Sequence, residues 1–218
     1  MKCPQPIKPV VQTRASQAKM TPGQALELLQ AGNARFVGGC MVNRDLREQV
    51  GATAGGQYPF AAILSCQDSR TSSEVLFDLN KGDAFSIRIA GNIVNEDVLG
   101  GLEFSTRLMG AKLIAVIGHS RCGAIRGAID SAELGNLTAL LGRINPAVES
   151  VLDGRRRDSN DSKLVEEVAK ANVLLVMRQI RERSPIIRDL IEEGQVGLVG
   201  GMYNLATGKV KFYENYTD

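Results

Sequence analysis

The sequence has no tryptophan and one histidine, His119, and aromatic residues make up only 5% of its 218 positions. With one histidine, no second imidazole is available to complete a metal site or to shuttle protons. Cysteine is sparse as well. Cys3, Cys40, Cys66 and Cys122 are too few and too scattered for a disulfide framework in a chain this long. No apolar run approaches the ~20 residues of a membrane span, so no membrane partner is expected. Residues 1–20, with Pro4, Pro6 and Pro9, lack the apolar stretch of a secretory signal. Charge of one sign is not massed either, since 26 Lys and Arg stand against 24 Asp and Glu. The densest basic cluster, Arg155 to Arg157, runs on into Asp158-Ser159-Asn160-Asp161-Ser162 and reads as a solvated loop, so no nucleic-acid partner is expected. Glycine-rich turns occur, but no complete dinucleotide or phosphate-loop fingerprint accompanies them. The expectation is a cytoplasmic protein, or a periplasmic one if a signal has been removed. It comprises a loose N-terminal arm over residues 1–20 and a single domain over residues 21–218.

What is present alternates between strand and helix signals. Thr21-Pro22 starts a helix whose apolar positions run from Ala25 to Phe36, and Gly38-Gly39 ends it. Residues 41–56 are polar and read as a connection. Short apolar runs at 60–64, 84–89, 113–117 and 196–203 predict strands, the first of them buried. Between them the spacing predicts helices over 72–79, 96–109, 122–129, 137–151 with a break near Pro146, 163–183 and 186–193. Residues 209–213 alternate after a hairpin-type turn and read as an antiparallel edge strand. The fold class is therefore α/β: a mostly parallel sheet with one antiparallel edge strand, flanked by helices, with an N-terminal helical arm.

Two turns carry the chemistry. Ser65-Cys66-Gln67-Asp68-Ser69-Arg70 follows the first predicted strand, and Gly118-His119-Ser120-Arg121-Cys122-Gly123 follows the third. Open parallel sheets bind ligands beyond the carboxyl ends of their strands, so neighbouring strands would set these turns face to face. Cys66, His119 and Cys122 then supply two thiolates and an imidazole to a zinc ion. Three protein ligands leave a fourth position for water, or for Asp68 in a closed state. Arg70 stands two residues from Asp68 and can hold its carboxylate in a two-pronged pair. Two other readings stay open on the residues alone. The cysteines can be buried core thiols, or Cys122, His119 and Asp68 can form a nucleophilic hydrolase, which leaves Cys66 without a role.

At these residues the sequence resembles the β-class carbonic anhydrases. Cys66-Gln67-Asp68-Ser69-Arg70 is similar to their Cys-x-Asp-x-Arg motif, and His119-Ser120-Arg121-Cys122-Gly123 to their His-x-x-Cys-Gly motif. The likeness continues through Gly32 to Phe36, Gly82 to Phe85 and Arg88-x-Ala90-Gly91-Asn92, and covers nearly everything after residue 20. The resemblance implies one zinc per subunit and reversible hydration of carbon dioxide to bicarbonate and a proton through zinc-bound hydroxide, with Asp68 and Arg70 as catalytic residues. It implies that Gln57 hydrogen-bonds substrate and that Phe85, Ala90 and Gly123 line its pocket. It also implies a homodimer or a dimer of dimers, in which Gln57 and Phe85 serve the neighbouring subunit's zinc. Some positions depart from the common pattern. Phe104 replaces a frequent tyrosine and Ile89 a frequent asparagine. Ile63 occupies the tryptophan position of a Trp-Arg-Tyr trio that Arg88 and Tyr203 otherwise match. The open, Asp–Arg-paired state without bicarbonate inhibition through that trio is therefore expected. Two alternatives share the ligand set: a carbonyl sulfide or carbon disulfide hydrolase on the same fold, and a non-catalytic zinc-binding protein.

Overall fold

The computed structural model describes residues 10–213. Five strands form one sheet: β1 (Ala61–Ser65), β2 (Ala84–Arg88), β3 (Leu113–His119), β4 (Gly197–Tyr203) and β5 (Val210–Phe212), in the order β2-β1-β3-β4-β5. β5 alone pairs antiparallel, as the alternation of residues 209–213 predicts. The helices are α1 (Arg14–Lys19), α2 (Pro22–Gly38), α3 (Leu46–Thr53), α4 (Ser73–Leu76), α5 (Glu96–Glu103), α6 (Gly123–Ile129), α7 (Gly135–Gly142), α8 (Asn145–Leu152), α9 (Ser162–Arg183) and α10 (Pro185–Glu192). Among these described residues no helix is long and apolar enough to cross a membrane.

β1 and β3 are buried along their whole length, and the period of two along a strand divides their side chains between two cores. Ala62, Leu64, Ile114 and Val116 pack against α5, α9 and α10. Ala61, Ile63, Leu113, Ala115 and Ile117 pack against α2 and Phe77. A third cluster lies at the carboxyl ends of the strands, where α6, α8 and α9 close around Cys66 and Cys122.

Three expectations are corrected. The connection over 41–56 contains α3, which Asp45 caps through hydrogen bonds accepted from the backbone N–H of Arg47 and Glu48. The predicted helix over 96–109 stops being α-helical at Phe104, and Phe104–Leu108 is a π-helical turn. Ser105 and Thr106 donate their hydroxyls to the carbonyls of Gly101 and Leu102, which competes with the regular ladder there. The arm is not loose over its described part. Thr13 and Ser16 form a capping box for α1, and buried Gln17 donates to the carbonyls of Pro59 and Met109. Residues 1–9 of that arm lie outside the described residues.

Gly32 is where α2 crosses the α4 segment. A Cβ built there would stand 1.8 Å from the Phe77 carbonyl oxygen, which is backbone and cannot swing aside. Gly32→Ala is therefore expected to destabilise the fold by about 2 kcal/mol or more, despite the ~1 kcal/mol that helix propensity favours alanine. A urea midpoint at or above that of the wild type would show that this crossing is not tight.

Candidate metal centre

β1 and β3 are adjacent and parallel, with Ser65 opposite Ile117, so their carboxyl ends open on the same side. Cys66 follows the last residue of β1, His119 is the last residue of β3, and Cys122 is the N-cap of α6. Their ligating atoms all lie within 4.8 Å of one another, and among the described residues they are the one such group of three. The two sulfurs are 3.9 Å apart, and all three residues are buried.

The imidazole is poised to ligate. His119 Nδ1 lies 3.0 Å from the Ser120 carbonyl oxygen. A carbonyl only accepts, so Nδ1 carries the hydrogen and Nε2 keeps its lone pair. Nε2 is buried without a hydrogen-bond partner. An unpaired buried nitrogen costs stability unless something binds it, and a ring nitrogen of His119 lies within 4.8 Å of both sulfurs. One imidazole with two thiolates is a donor set that suits zinc. The residues therefore fit the ion that the sequence implies. In the chain without metal, a hydrogen bond from Cys122 lowers the pKa of the Cys66 thiol, with the Gly91 N–H assisting. The same pairing and burial push the Cys122 thiol up. Metal binding would release whatever thiol protons remain, because zinc takes thiolates.

Asp68 is held as expected. Its Oδ1 accepts from Arg70 N at 3.0 Å and Arg70 Nε at 2.9 Å, and its Oδ2 accepts from Arg70 Nη2 at 2.8 Å. Arg70 keeps the carboxyl well below the usual carboxylate range. Two residues with no chemical role in the motifs fix this turn. Thr71 Oγ1 donates to the carbonyls of Cys66 and Asp68, at 2.8 and 2.9 Å. Arg88, at the end of β2, donates to the same two carbonyls. Thr71 gave no signal beyond being a hydroxyl residue in a turn.

A family model described as carbonic anhydrase matches residues 61–210. A carbonic anhydrase from Mycolicibacterium smegmatis is 31% identical over 203 residues, 90% of this chain and 96% of that relative. The chain belongs to the carbonic anhydrase family. The β-carbonic anhydrase CcaA has a similar structure, with a TM-score of 0.69 and 26% identity over 88% of this chain and 94% of that one. A tetrameric β-carbonic anhydrase from Sordaria macrospora shares the fold, with a TM-score of 0.70 and 23% identity over 79% of this chain and 92% of that one. The chain is therefore a β-class member of a family of lyases that hydrate carbon dioxide.

Within this carbonic anhydrase chain the remaining expected site residues fall into two groups. Ala90 opens a short 3-10 turn, Ala90–Asn92, in which Gly91 donates its N–H to Cys66 Sγ at 3.4 Å. Gly123 is the first residue of α6, directly after Cys122, and a Cβ there would meet nothing within 4 Å. Gln57 and Phe85 stand elsewhere. Gln57 is exposed and lines a separate cavity of about 530 Å³ with Thr53, Glu74 and Lys81, and neither the cysteines nor His119 line it. Phe85 lies on the edge strand β2 and packs edge-to-face on Phe104, with ring centroids 5.9 Å apart. A single chain does not bring these two into the Cys66–Cys122 crevice.

Proposed function

We propose that this chain is an active zinc-dependent carbonic anhydrase that hydrates carbon dioxide reversibly to bicarbonate and a proton. Cys66, His119 and Cys122 hold one zinc ion per chain. The observation that carries this reading is the cluster of Cys66, His119 and Cys122 ligating atoms within 4.8 Å of one another, with His119 Nε2 buried and unpartnered. When bound there, zinc lowers the pKa of a coordinated water from ~16 towards ~7.

The chain's own residues do the rest. Asp68 stays ionised because Arg70 grips both of its oxygens. It therefore acts as a hydrogen-bond acceptor that orients the attacking water, and it does not take up the proton itself. Thr71 and Arg88 keep the backbone of that turn in place. A structural zinc site needs no such ionised, clamped acceptor beside it, which argues against a non-catalytic role. The chain's single histidine is a ligand, so the proton leaves to external buffer.

Gln57 and Phe85 are assigned to the neighbouring subunit's site in a homodimer or dimer of dimers. Exposed apolar side chains at Val75, Phe104 and Leu108, together with the outward edge of β2, support this assignment.

The test is the pH dependence of stopped-flow hydration, with carbonyl sulfide hydrolysis measured on the same sample. Turnover is expected to rise with pH through the region above ~7. A flat profile, or faster turnover of carbonyl sulfide than of carbon dioxide, would sink the assignment.

A further inference from the structure

Asn172 has no place in the motifs, yet it is fully buried in the middle of α9. Its Nδ2 donates to the carbonyl of Gly91, 81 residues away in sequence, at 2.8 Å. Its Oδ1 has no hydrogen-bond partner, so half of this amide is buried unsatisfied. A buried polar side chain with half its capacity unmet is an expensive choice at a core position where leucine would pack. Packing therefore does not account for the residue.

The carbonyl it holds belongs to a glycine in an unusual state. Gly91 has φ +67, and a Cβ there would stand 2.7 Å from Ile144 Cδ1. The turn is thus confined to glycine, the residue with the most backbone freedom. The N–H of this same residue points at Cys66 Sγ, 3.4 Å away. Asn172 therefore fastens one side of a residue whose other side touches a ligating sulfur. A thiolate that accepts an N–H donates less charge to a metal bound to it, and groups that orient ligands in this way tune metal sites.

We propose that Asn172 is a positioning residue for the metal centre: by holding the Gly91 carbonyl it aims the Gly91 N–H at the Cys66 thiolate. The inference rests on Cys66 being a zinc ligand. It adds that the affinity and electronic character of the site are set in part from α9, beyond the two motif turns.

The direct test uses wild-type protein loaded with NMR-active cadmium. A resolved scalar coupling between the metal and the Gly91 amide proton is expected, transmitted through the Cys66 sulfur. Asn172→Leu, similar in volume but without the donor, should lose that coupling and shift the thiolate-to-metal charge-transfer band of the cobalt(II) form. Its zinc affinity, measured by chelator competition, should fall about tenfold or more. The melting temperature of its metal-free form should change little, because it removes one unmet polar atom and creates another at Gly91. Asn172→Met, unbranched and able to fill the same space, likewise lacks the donor and should weaken zinc binding to the same degree. Absence of the cadmium–Gly91 coupling in wild type overturns the proposal, even if neither variant folds. So does a variant that binds zinc within about twofold of wild type, or one whose loss of affinity follows only from a less stable metal-free fold. Wild-type protein that binds no metal would overturn the zinc reading itself, a result distinguishable from all of these.

Discussion

His119→Ala is expected to remove zinc and carbon dioxide hydration together while leaving the chain folded. The imidazole is the only nitrogen donor among the three clustered ligands, and the chain has no second histidine to replace it. The two sulfurs alone, 3.9 Å apart, are one donor short of the three protein ligands that a catalytic zinc site takes. Without the ion, the pKa of the attacking water returns from ~7 to ~16, and the rate falls to the uncatalysed background. Metal analysis and stopped-flow hydration on the purified variant check this, with circular dichroism to confirm the fold. Full zinc occupancy in His119→Ala, or a rate within about tenfold of wild type, would show that the reaction is run from elsewhere.

Asp68→Asn should separate binding from catalysis. The substitution keeps the shape of the side chain and touches none of the three ligands, so zinc content should remain at one per chain. Its effect falls on the acceptor. An amide offers one carbonyl oxygen and an NH2 where the carboxylate offers two ionised oxygens, so the two-pronged grip of Arg70 is lost and the attacking water is no longer oriented by an anion. A loss of about 100-fold or more in turnover is expected, the scale on which misplacing a reacting group costs rate. Equal loss of zinc and activity would instead make Asp68 a ligand or a structural residue. Unchanged turnover would remove it from the mechanism.

The parts of this protein legible in its sequence are those where chemistry or periodicity is local. The strand cores were legible because β1 and β3 are continuous apolar runs bounded by turn residues, and the antiparallel β5 because its residues alternate. The candidate ligands were legible because cysteine and histidine are scarce and three of the five such residues sit at matched strand ends. α3 was passed over because Leu46–Thr53 is polar and carries little apolar periodicity, although Asp45 as N-cap with Glu48 three residues later was a usable signal. α1 was missed because one buried polar side chain, Gln17, holds it, and a glutamine in a polar segment announces nothing. The supporting contacts of the metal turn were illegible for a related reason. Arg88 reaches carbonyls 20 and 22 residues back and Asn172 one 81 residues back. A hydrogen bond to a distant backbone carbonyl leaves no spacing to read. Gln57 and Phe85 carry a different lesson: resemblance assigned them to substrate, and the single chain leaves them outside its own crevice.

The central claim is that the Cys66, His119 and Cys122 cluster holds the zinc that hydrates carbon dioxide. The most direct measurement is the hydration rate of metal-stripped wild-type protein as zinc is titrated back in. The account predicts activity that rises in proportion to bound zinc and levels off at one ion per chain. Undiminished activity in the stripped protein, or none at full occupancy, would contradict it.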